Sequence, residues 1–481
     1  MRLREAGAER GELGPGSRPV VFESRDAPAD PQVVAALEQG LRDADLAARP
    51  VVLPDCYQKP VMEMPSSIAV ATTGTIRMTL TSAALNCGMA LAALDVERPP
   101  EPAIRAFYDR LRRAHPHPPG VRPVLSAEEV VRCAAMGARF AVDRFGLDPA
   151  ELARIEEGGC VDVERYGGME RARREIGVMA AQLARLRFGT VGPSTHFVEL
   201  QEVVEVLDRG AADRLGLRAG QVTVQFHGGD GVLNIQLGAR FGRRRAGSRA
   251  LRTVMAAQKP LYQLAAARSP GQLSERWALY FSGACPPVGR DSGEGERLML
   301  ANAMAMNYAF AYRQATYATL RGLARRVFGA AARLVVDSPH NTVYDEDVGG
   351  VRAVVHRHNT ARARPRSRLA GHPAFAETGQ PVLLPGTNRT CSFVCVAGEG
   401  AAGSLFSACH GTGSIIDSFV RRGLSGLDPD GHRTLRFGYR APEPARVPHL
   451  DSRGVEEGLR ILMRHDIVRP VARLRPFAVL T

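Results

Sequence analysis

The chain has 481 residues, 45% of them apolar and 23% charged, a composition typical of a globular protein of about two or three average domains or one large α/β unit. No apolar run approaches the ~18 residues of a membrane helix, and the charged N-terminus lacks the apolar core of a signal peptide, so we expect a cytoplasmic protein with no membrane contact. The net charge of +13 comes almost entirely from arginine, which suits a polyanionic partner such as RNA or a nucleotide, although a GC-rich coding bias would produce the same excess.

The predicted elements begin after a segment without periodicity. Residues 1–30 are rich in Gly, Pro and Arg and predict a disordered tail, which leaves 31–481 as the folded domain. A 3.6-residue apolar period then predicts three helices, with Ser126 and Glu129 spaced as a capping box at the first of them. These helices are 121–145, 169–188 and 296–328. β-like runs lie between the helices, and the Pro/Arg-rich stretch 361–373 predicts an exposed loop.

Five of the twelve histidines share one local pattern, a short β-like apolar run that ends at a His beside Gly, Asn or Thr. They are His196, His227, His340, His356 and His410. A strand that leads into an abrupt turn holds an imidazole rigidly, and several such strand ends can aim ligands or a nucleophile at one point. Each one alone is also typical of an edge or turn histidine with satisfied hydrogen bonds. The repetition favours a histidine-rich metal or phosphoryl-transfer enzyme, with the five strand ends converging on one cleft.

Cysteine and lysine usage narrows this chemistry. The eight cysteines are scattered without a CxxC pair, which indicates thiols rather than a disulfide framework and leaves one or two as candidate ligands. Only Lys59 and Lys259 are lysines. Histidine is therefore the better supplied carrier for a covalently bound nucleotide.

Ten short motifs follow in order between residues 50 and 481. They are PDCYQKPVMEMPSSIAVATTGTI (54–76), LNCGM (85–89), GTVGPSTHFVE (189–199), FHGGDG (226–231), MNYAFAYRQ (306–314), DSPHN (337–341), HRHNT (356–360), PGTN (385–388), HGTG (410–413) and VARLRP (471–476). Together they resemble the RtcB family of RNA-splicing ligases. The resemblance implies one large α/β (mixed α+β) domain with mixed β-sheets around a central metal and nucleotide cleft. It also implies an enzyme of tRNA splicing or RNA repair that joins RNA 3′-phosphate or 2′,3′-cyclic phosphate ends to 5′-hydroxyl ends, using GTP and Mn²⁺.

The resemblance assigns roles to individual residues. It makes His410 the residue that accepts the guanylate. The implied metal ligands are Cys87, His196, His227 and His340. The implied nucleotide-binding residues are Glu199, Thr195, Pro385, Gly386, Gly411 and Gly413. The expected partners are RNA and GTP; the chain is expected to be a monomer, and an archease-like activating protein is left open.

The chain also departs from the family pattern. Ala84 stands where the family has a metal-binding aspartate, and the remaining Cys and three His match a tetrahedral Zn²⁺ site, so we expect one ion rather than two. Thr195, Ser414 and Thr481 replace an asparagine, an arginine and a lysine. Each lost charge-assisted contact costs about 1.5–3 kcal/mol. GTP use would then depend on compensating cations, for which the candidates are Arg357, Arg362, Arg364 and Arg389.

Three functions remain open from the sequence. The first is an RNA ligase that works through a histidine–guanylate intermediate. The second is a metal-dependent nucleotidyl or phosphoryl transferase with an altered nucleotide or substrate. The third is a catalytically silent protein that binds metal and RNA.

Overall fold

The computed structural model describes residues 17–60, 62–117, 124–185, 188–189, 191, 196–229, 231–241, 249–281 and 286–481. In these residues two large sheets, two two-stranded sheets and a set of helices are arranged around one long buried helix. The described helices are α1 (Pro31–Gly40), α2 (Glu101–Ala114), α3 (Ala127–Met136), α4 (Ala138–Phe145), α5 (Gly168–Ala184), α6 (Arg209–Leu215), α7 (Val232–Arg240), α8 (Arg249–Gln263), α9 (Pro270–Phe281), α10 (Gly293–Phe328), α11 (Gly413–Arg421) and α12 (Arg453–Arg464). The described strands are β1 (Val20–Val21), β2 (Val51–Val52), β3 (Ile68–Thr72), β4 (Thr75–Ile76), β5 (Gly88–Glu97), β6 (Phe197–Val206), β7 (Gln221–Gly228), β8 (Val288–Gly289), β9 (Ala332–Pro339), β10 (Asn341–Val348), β11 (Val351–His358), β12 (Thr360–Arg362), β13 (Pro381–Leu384), β14 (Ser392–Ala397), β15 (Ser407–Cys409), β16 (Arg433–Phe437), β17 (Ala445–Pro448) and β18 (Val468–Leu480).

The largest sheet has the order β13-β14-β18-β6-β7-β5-β9, with β16 and β17 attached beside β18. Its strands pair antiparallel except for β16 with β18, so the sheet is mixed. A second sheet has the order β1-β2-β3-β11-β10. Strands β12 and β15 form a two-stranded sheet, and β15 directly precedes His410. The chain therefore has the mixed α/β fold that the sequence predicted.

Helix α10 is the central helical element. It confirms the predicted helix at 296–328, starting three residues earlier, where the Ser292 hydroxyl accepts a hydrogen bond from the Gly295 amide. Every residue from Arg297 to Tyr317 is buried, because α2, α3, α4 and α7 pack around it. A helix that is covered on all sides needs apolar or internally paired residues on every face. Among the described helices, none combines the length and the apolar character needed to cross a bilayer.

The helix predicted at 121–145 is two helices. The capping box of Ser126 and Glu129 is confirmed at the start of α3, and residues 118–123 lie outside the described part of the chain. The break falls at Gly137, which has a φ of 59°. A side chain there would place its Cβ 2.1 Å from the Gly159 carbonyl oxygen, so this close approach of backbone requires glycine. The helix predicted at 169–188 is α5, interrupted at Gly177 by a φ of 71°.

Two predicted irregular segments are partly ordered. Residues 1–16 lie outside the described residues, but the second half of the predicted tail is wrong: Val20–Val21 forms β1, which pairs with β2, and Phe22 is buried against the His465 ring. The predicted loop at 361–373 is also corrected at its start, since β12 pairs with β15 and buries Arg362. Both segments gain backbone partners that a local reading of Gly, Pro and Arg content does not reveal. The seven described cysteines are free thiols, as expected, while Cys285 lies outside the described residues.

Candidate metal and nucleotide site

Four predicted metal ligands lie at one end of adjacent strands in the largest sheet. Cys87 immediately precedes β5, and β5 lies between β7 and β9. The register pairs Met89 with His227 on one side and Gly88 with Pro339, the residue before His340, on the other. His227 in turn pairs with Phe197, the residue after His196. Strand register alone therefore brings together residues from four distant parts of the sequence.

The ligand atoms lie at distances suited to sharing an ion. Cys87 Sγ is 3.2 Å from His227 Nε2 and 3.7 Å from His196 Nε2. These three ligand atoms all lie within 4.8 Å of one another, and His340 Nε2 extends the group at 3.0 Å from His227 Nε2. Ligands about 2.0–2.3 Å from one tetrahedral ion are themselves about 3–4 Å apart. Cys87, His196 and His227 therefore lie close enough to share one ion, whereas His340 approaches this group only through His227.

A buried arginine lies beneath these ligands. Arg313 has no exposed surface, and its Nε donates to Asp337 Oδ1 at 2.7 Å. Its Nη atoms donate to the Asn86 carbonyl, to Asn86 Oδ1 at 3.1 Å and to the Gly228 carbonyl at 3.4 Å. Asn86 precedes Cys87 and Gly228 follows His227, so one guanidinium connects the backbone beside two ligands. Arg313 lies in the motif MNYAFAYRQ but was not among the predicted site residues.

His410 directly follows β15 and lies beside the ligand cluster. Its ring centroid is 4.0 Å from that of His340 and 6.4 Å from that of His227. Nδ1 lies 3.2 Å from the Asn359 carbonyl oxygen. Because a carbonyl oxygen can only accept, Nδ1 carries the proton and Nε2 keeps its lone pair. Burial lowers the pKa of His410 to about 4, which favours the neutral, nucleophilic ring.

Hydrogen bonds connect the loop after His410 to the predicted nucleotide residues. The Thr412 hydroxyl donates to the Pro385 carbonyl at 2.9 Å, and the Gly386 amide donates to Ser392 Oγ at 3.0 Å. A Cβ at Gly386 would lie 2.2 Å from the Cys391 carbonyl oxygen, so only glycine fits there. The segments 385–386 and 410–413 are therefore held side by side.

Glu199, on strand β6, is connected to the same segments through Gln201 and Ser392. Gln201 Nε2 donates to Glu199 Oε1 at 2.7 Å and to Ser392 Oγ at 3.3 Å. Glu199 is 5% exposed, and this burial raises its pKa to about 8. The carboxyl group is thus mostly protonated at neutral pH and can donate a hydrogen bond as well as accept one. Thr195, the other predicted nucleotide residue near this strand, lies outside the described residues.

Comparison of the sequence with known proteins identifies the family of this chain. The family model described as tRNA-splicing ligase RtcB matches residues 44–420. The chain belongs to the RtcB family. It is 28% identical over 414 residues to the tRNA-splicing ligase RtcB of Pyrococcus furiosus and 29% identical over 415 residues to that of Pyrococcus horikoshii. Both matches cover 82% of this chain but only 39% and 44% of those relatives, so the chain spans less than half their length.

A relative of similar length matches more completely. The RNA-splicing ligase RtcB of Mycobacterium tuberculosis is 30% identical over 419 residues, covering 82% of this chain and 87% of the relative. The family is therefore shown over most of the chain, at an identity low enough for individual site residues to differ.

Asp55, in the motif at 54–76, contacts the loop after His410. Its Oδ1 accepts hydrogen bonds from the amide and the hydroxyl of Ser414, at the start of α11. Burial raises the pKa of Asp55 to about 6. Ser414, which replaces the RtcB family arginine, thus anchors the end of the 410–413 loop to Asp55. Asp55 was not among the predicted site residues, and its place in that motif is the signal that could have found it.

The predicted roles of His356, Arg357 and Arg362 are wrong. His356 does not join the cluster: its Nε2 accepts from the Arg77 amide at 3.0 Å and its Nδ1 faces the Val70 carbonyl at 3.3 Å, so neither nitrogen can bind an ion. The convergence therefore involves four of the five strand-end histidines. Arg357 and Arg362 are not free for phosphates, because both are buried and form ion pairs with Glu346.

Arg362 also contacts Glu156 and Glu157. The other two proposed compensating cations, Arg364 and Arg389, have protein partners as well. Arg364 lies 3.5 Å from Glu157. Arg389 donates from Nε to the Pro448 carbonyl at 3.0 Å. The carboxylate partners of the buried Arg357 and Arg362 occupy these two guanidinium groups, so neither replaces the cations that the RtcB pattern loses here.

Proposed function

We propose that this protein is a GTP-dependent RNA ligase, which joins RNA 3′-phosphate or 2′,3′-cyclic phosphate ends to 5′-hydroxyl ends through a guanylate carried on His410. The observation that carries the proposal is the position of His410, with Nε2 unprotonated and its ring 4.0 Å from the His340 ring. Membership of the RtcB family supports the RNA ligase class. We further propose that the protein acts as a cytoplasmic monomer, and an archease-like activator can be tested by adding one to the ligation assay.

The metal would be held by Cys87, His196, His227 and His340. A thiolate and three imidazoles suit a borderline divalent ion such as Mn²⁺ or Zn²⁺ better than Mg²⁺. When bound, the ion would neutralise charge developing on phosphate oxygens. Among the described residues no carboxylate joins the Cys87, His196 and His227 group, which favours one ion; Asp230 lies outside them.

The chemistry assigned to His410 is nucleotidyl transfer. Nε2 attacks the α-phosphorus of GTP, a P–N bond forms, and the bond from that phosphorus to its bridging oxygen breaks, so pyrophosphate leaves with the electron pair. The proton stays on Nδ1, and its hydrogen bond to the Asn359 carbonyl oxygen stabilises the positive ring as it forms. Glu199 would bind the base, and Gly386, Gly411 and Gly413 would let phosphates approach the backbone closely.

Labelling with radioactive nucleotide tests this proposal. With α-labelled GTP and Mn²⁺, the protein should gain an acid-labile, base-stable label, and His410→Ala should abolish labelling and ligation. The matched control is His465→Ala, since His465 is exposed and distant in sequence from every predicted ligand. Both variants should melt within a few degrees of the unmodified protein. Full activity in His410→Ala, or no label from any nucleotide, would refute the ligase proposal and favour a silent metal- and RNA-binding protein.

One observation favours the second function, transfer of another nucleotide. The cations expected at Ser414 and Thr481 are absent, and the buried Arg357 and Arg362 are paired with carboxylates. The same assay should therefore include labelled ATP, CTP and UTP. A label from one of these, lost in His410→Ala, would establish a nucleotidyl transferase with an altered nucleotide pocket.

A further inference from the structure

An exposed pair of stacked aromatic rings lies on α9. Trp277, the single tryptophan of the chain, is 60% exposed. Its ring stacks on that of Phe281 one helical turn later, with centroids 5.2 Å apart and planes inclined by 17°. A stacked arrangement leaves the outer face of the indole open.

A cation accompanies these rings. Lys259 Nζ, on α8, lies 5.5 Å from the centroid of Phe281. By sequence, the segment 256–281 also carries Arg268 and one acidic residue, Glu275, while its remaining cation, Arg276, is paired with Glu294. We call Lys259, Trp277 and Phe281 the aromatic platform; it combines a flat exposed ring with the positive charge of Lys259.

The platform rests on a rigid support. Arg276 and Tyr280, the neighbours of Trp277 on α9, are buried, and both bond to Glu294 at 2.7 Å. Glu294 is in the first turn of α10, and Arg313 of the ligand cluster lies 19 residues further along the same helix. At 1.5 Å per residue the two points are about 28 Å apart along the helix axis. The platform is thus fixed relative to the site but is separate from it.

We propose that the aromatic platform binds single-stranded RNA outside the catalytic cleft, with a base stacked on Trp277. The proposal rests on the proposed function, since it takes RNA as the substrate. Bases stack on exposed aromatic rings regardless of sequence, and neighbouring cations bind the phosphates. At the ~3.4 Å rise per nucleotide of a stacked strand, a separation of this order spans several nucleotides. The platform would therefore hold a substrate strand several nucleotides from the end that reacts.

The single tryptophan provides a direct measurement. The full-length protein is titrated with a single-stranded RNA of about 12 nucleotides while the fluorescence of Trp277 is recorded, and binding is followed separately by anisotropy of end-labelled RNA. Stacking should quench the fluorescence over the same concentrations as binding. Trp277→Ala should weaken binding about tenfold, the effect of one lost base–ring stack. Because the Trp277 side chain is mostly exposed, this variant should keep its fold, which circular dichroism can verify.

Leu273→Ala is the matched control. Leu273 is 43% exposed one turn before Trp277, so a protein partner on this face would contact both, whereas a stacked base requires the ring. Leu273→Ala should leave RNA affinity unchanged, and the same RNA as a duplex should not quench. Binding without quenching, or equal losses in both variants, would overturn the proposal; the latter would indicate a protein-binding surface.

The outcome is independent of the ligase proposal. Ligation without quenching would refute the RNA-binding role of the platform and leave the proposed function supported. Quenching without nucleotide labelling would refute the ligase proposal and leave the RNA-binding role of the platform supported.

Discussion

Replacement of Arg313 gives the sharpest test of how the ligand cluster is held. Arg313→Met removes one partner of a fully buried ion pair, which typically costs about 3–5 kcal/mol. It also leaves the Asn86 carbonyl and Asn86 Oδ1 without their donors, at about 1–3 kcal/mol for each unsatisfied buried group. These losses are comparable with the roughly 5–15 kcal/mol that stabilises a folded domain. Arg313→Met is therefore expected to unfold or to melt at a much lower temperature.

Arg313→Lys separates positioning from stability. The lysine keeps the charge opposite Asp337 but has no planar fork to contact Asn86 and Gly228 together. We expect a folded protein whose Co²⁺ affinity, measured from the thiolate-to-metal absorption of Cys87, falls by about 10- to 100-fold, as is typical when a group that orients ligands is lost. The control is Arg276→Lys, which alters another buried ion pair near the start of α10 and should lower only the melting temperature. Unchanged Co²⁺ affinity in folded Arg313→Lys, or an equal loss in Arg276→Lys, would refute the reasoning.

Three further predictions concern the same site. His227→Ala should bind less metal than the unmodified protein. Its melting temperature should be lower than that of the unmodified protein only when metal is present, because a bound ion stabilises only the folded state. Melting curves with and without chelator measure this. Ala84→Asp should raise the affinity for a second ion, measured by elemental analysis after dialysis, and two tightly held equivalents in the unmodified protein would contradict the single-ion prediction. The pKa of Glu199 is raised from 4.5 to about 8, so its contribution to stability is complete below pH 4.5 and is lost as pH rises towards 8. Glu199→Gln should remove that part of the pH dependence in denaturant unfolding, and an unaltered profile would show that Glu199 is not buried in this way.

Local patterns in the sequence predicted those features that depend on neighbouring residues. The capping box at Ser126 and the period of α10 were sufficient because both are set within a few turns of helix. The strand-end histidines were found in the same way, since a strand followed by a turn is a local signal. His356 has that signal too, but backbone groups of a neighbouring strand and of Arg77 occupy its ring nitrogens.

The missed features depend on long-range contacts. Arg362 lies in a stretch that reads as exposed because of its Pro and Arg content, yet it is buried by Glu156 and Glu346 from elsewhere in the chain. Gly137 interrupts a continuous helical pattern because the backbone at Gly159 approaches it. Arg313 is one arginine among many in the sequence, and only the packed structure shows that it contacts the residues beside Cys87 and His227.

The position of β18 has a consequence for how the protein is made. β18 lies between β14 and β6, pairing Leu474 with Ser392 on one side and Val479 with Glu199 on the other. It is also synthesised after every other described element. The strands that carry the metal ligands and those that carry Pro385 and Gly386 can therefore join into one sheet only when translation has reached β18. Until then the emerging chain exposes the unpaired edges of β14 and β6, which could pair with other chains, and β18 does not yet join the strands that carry Ser392 and Glu199.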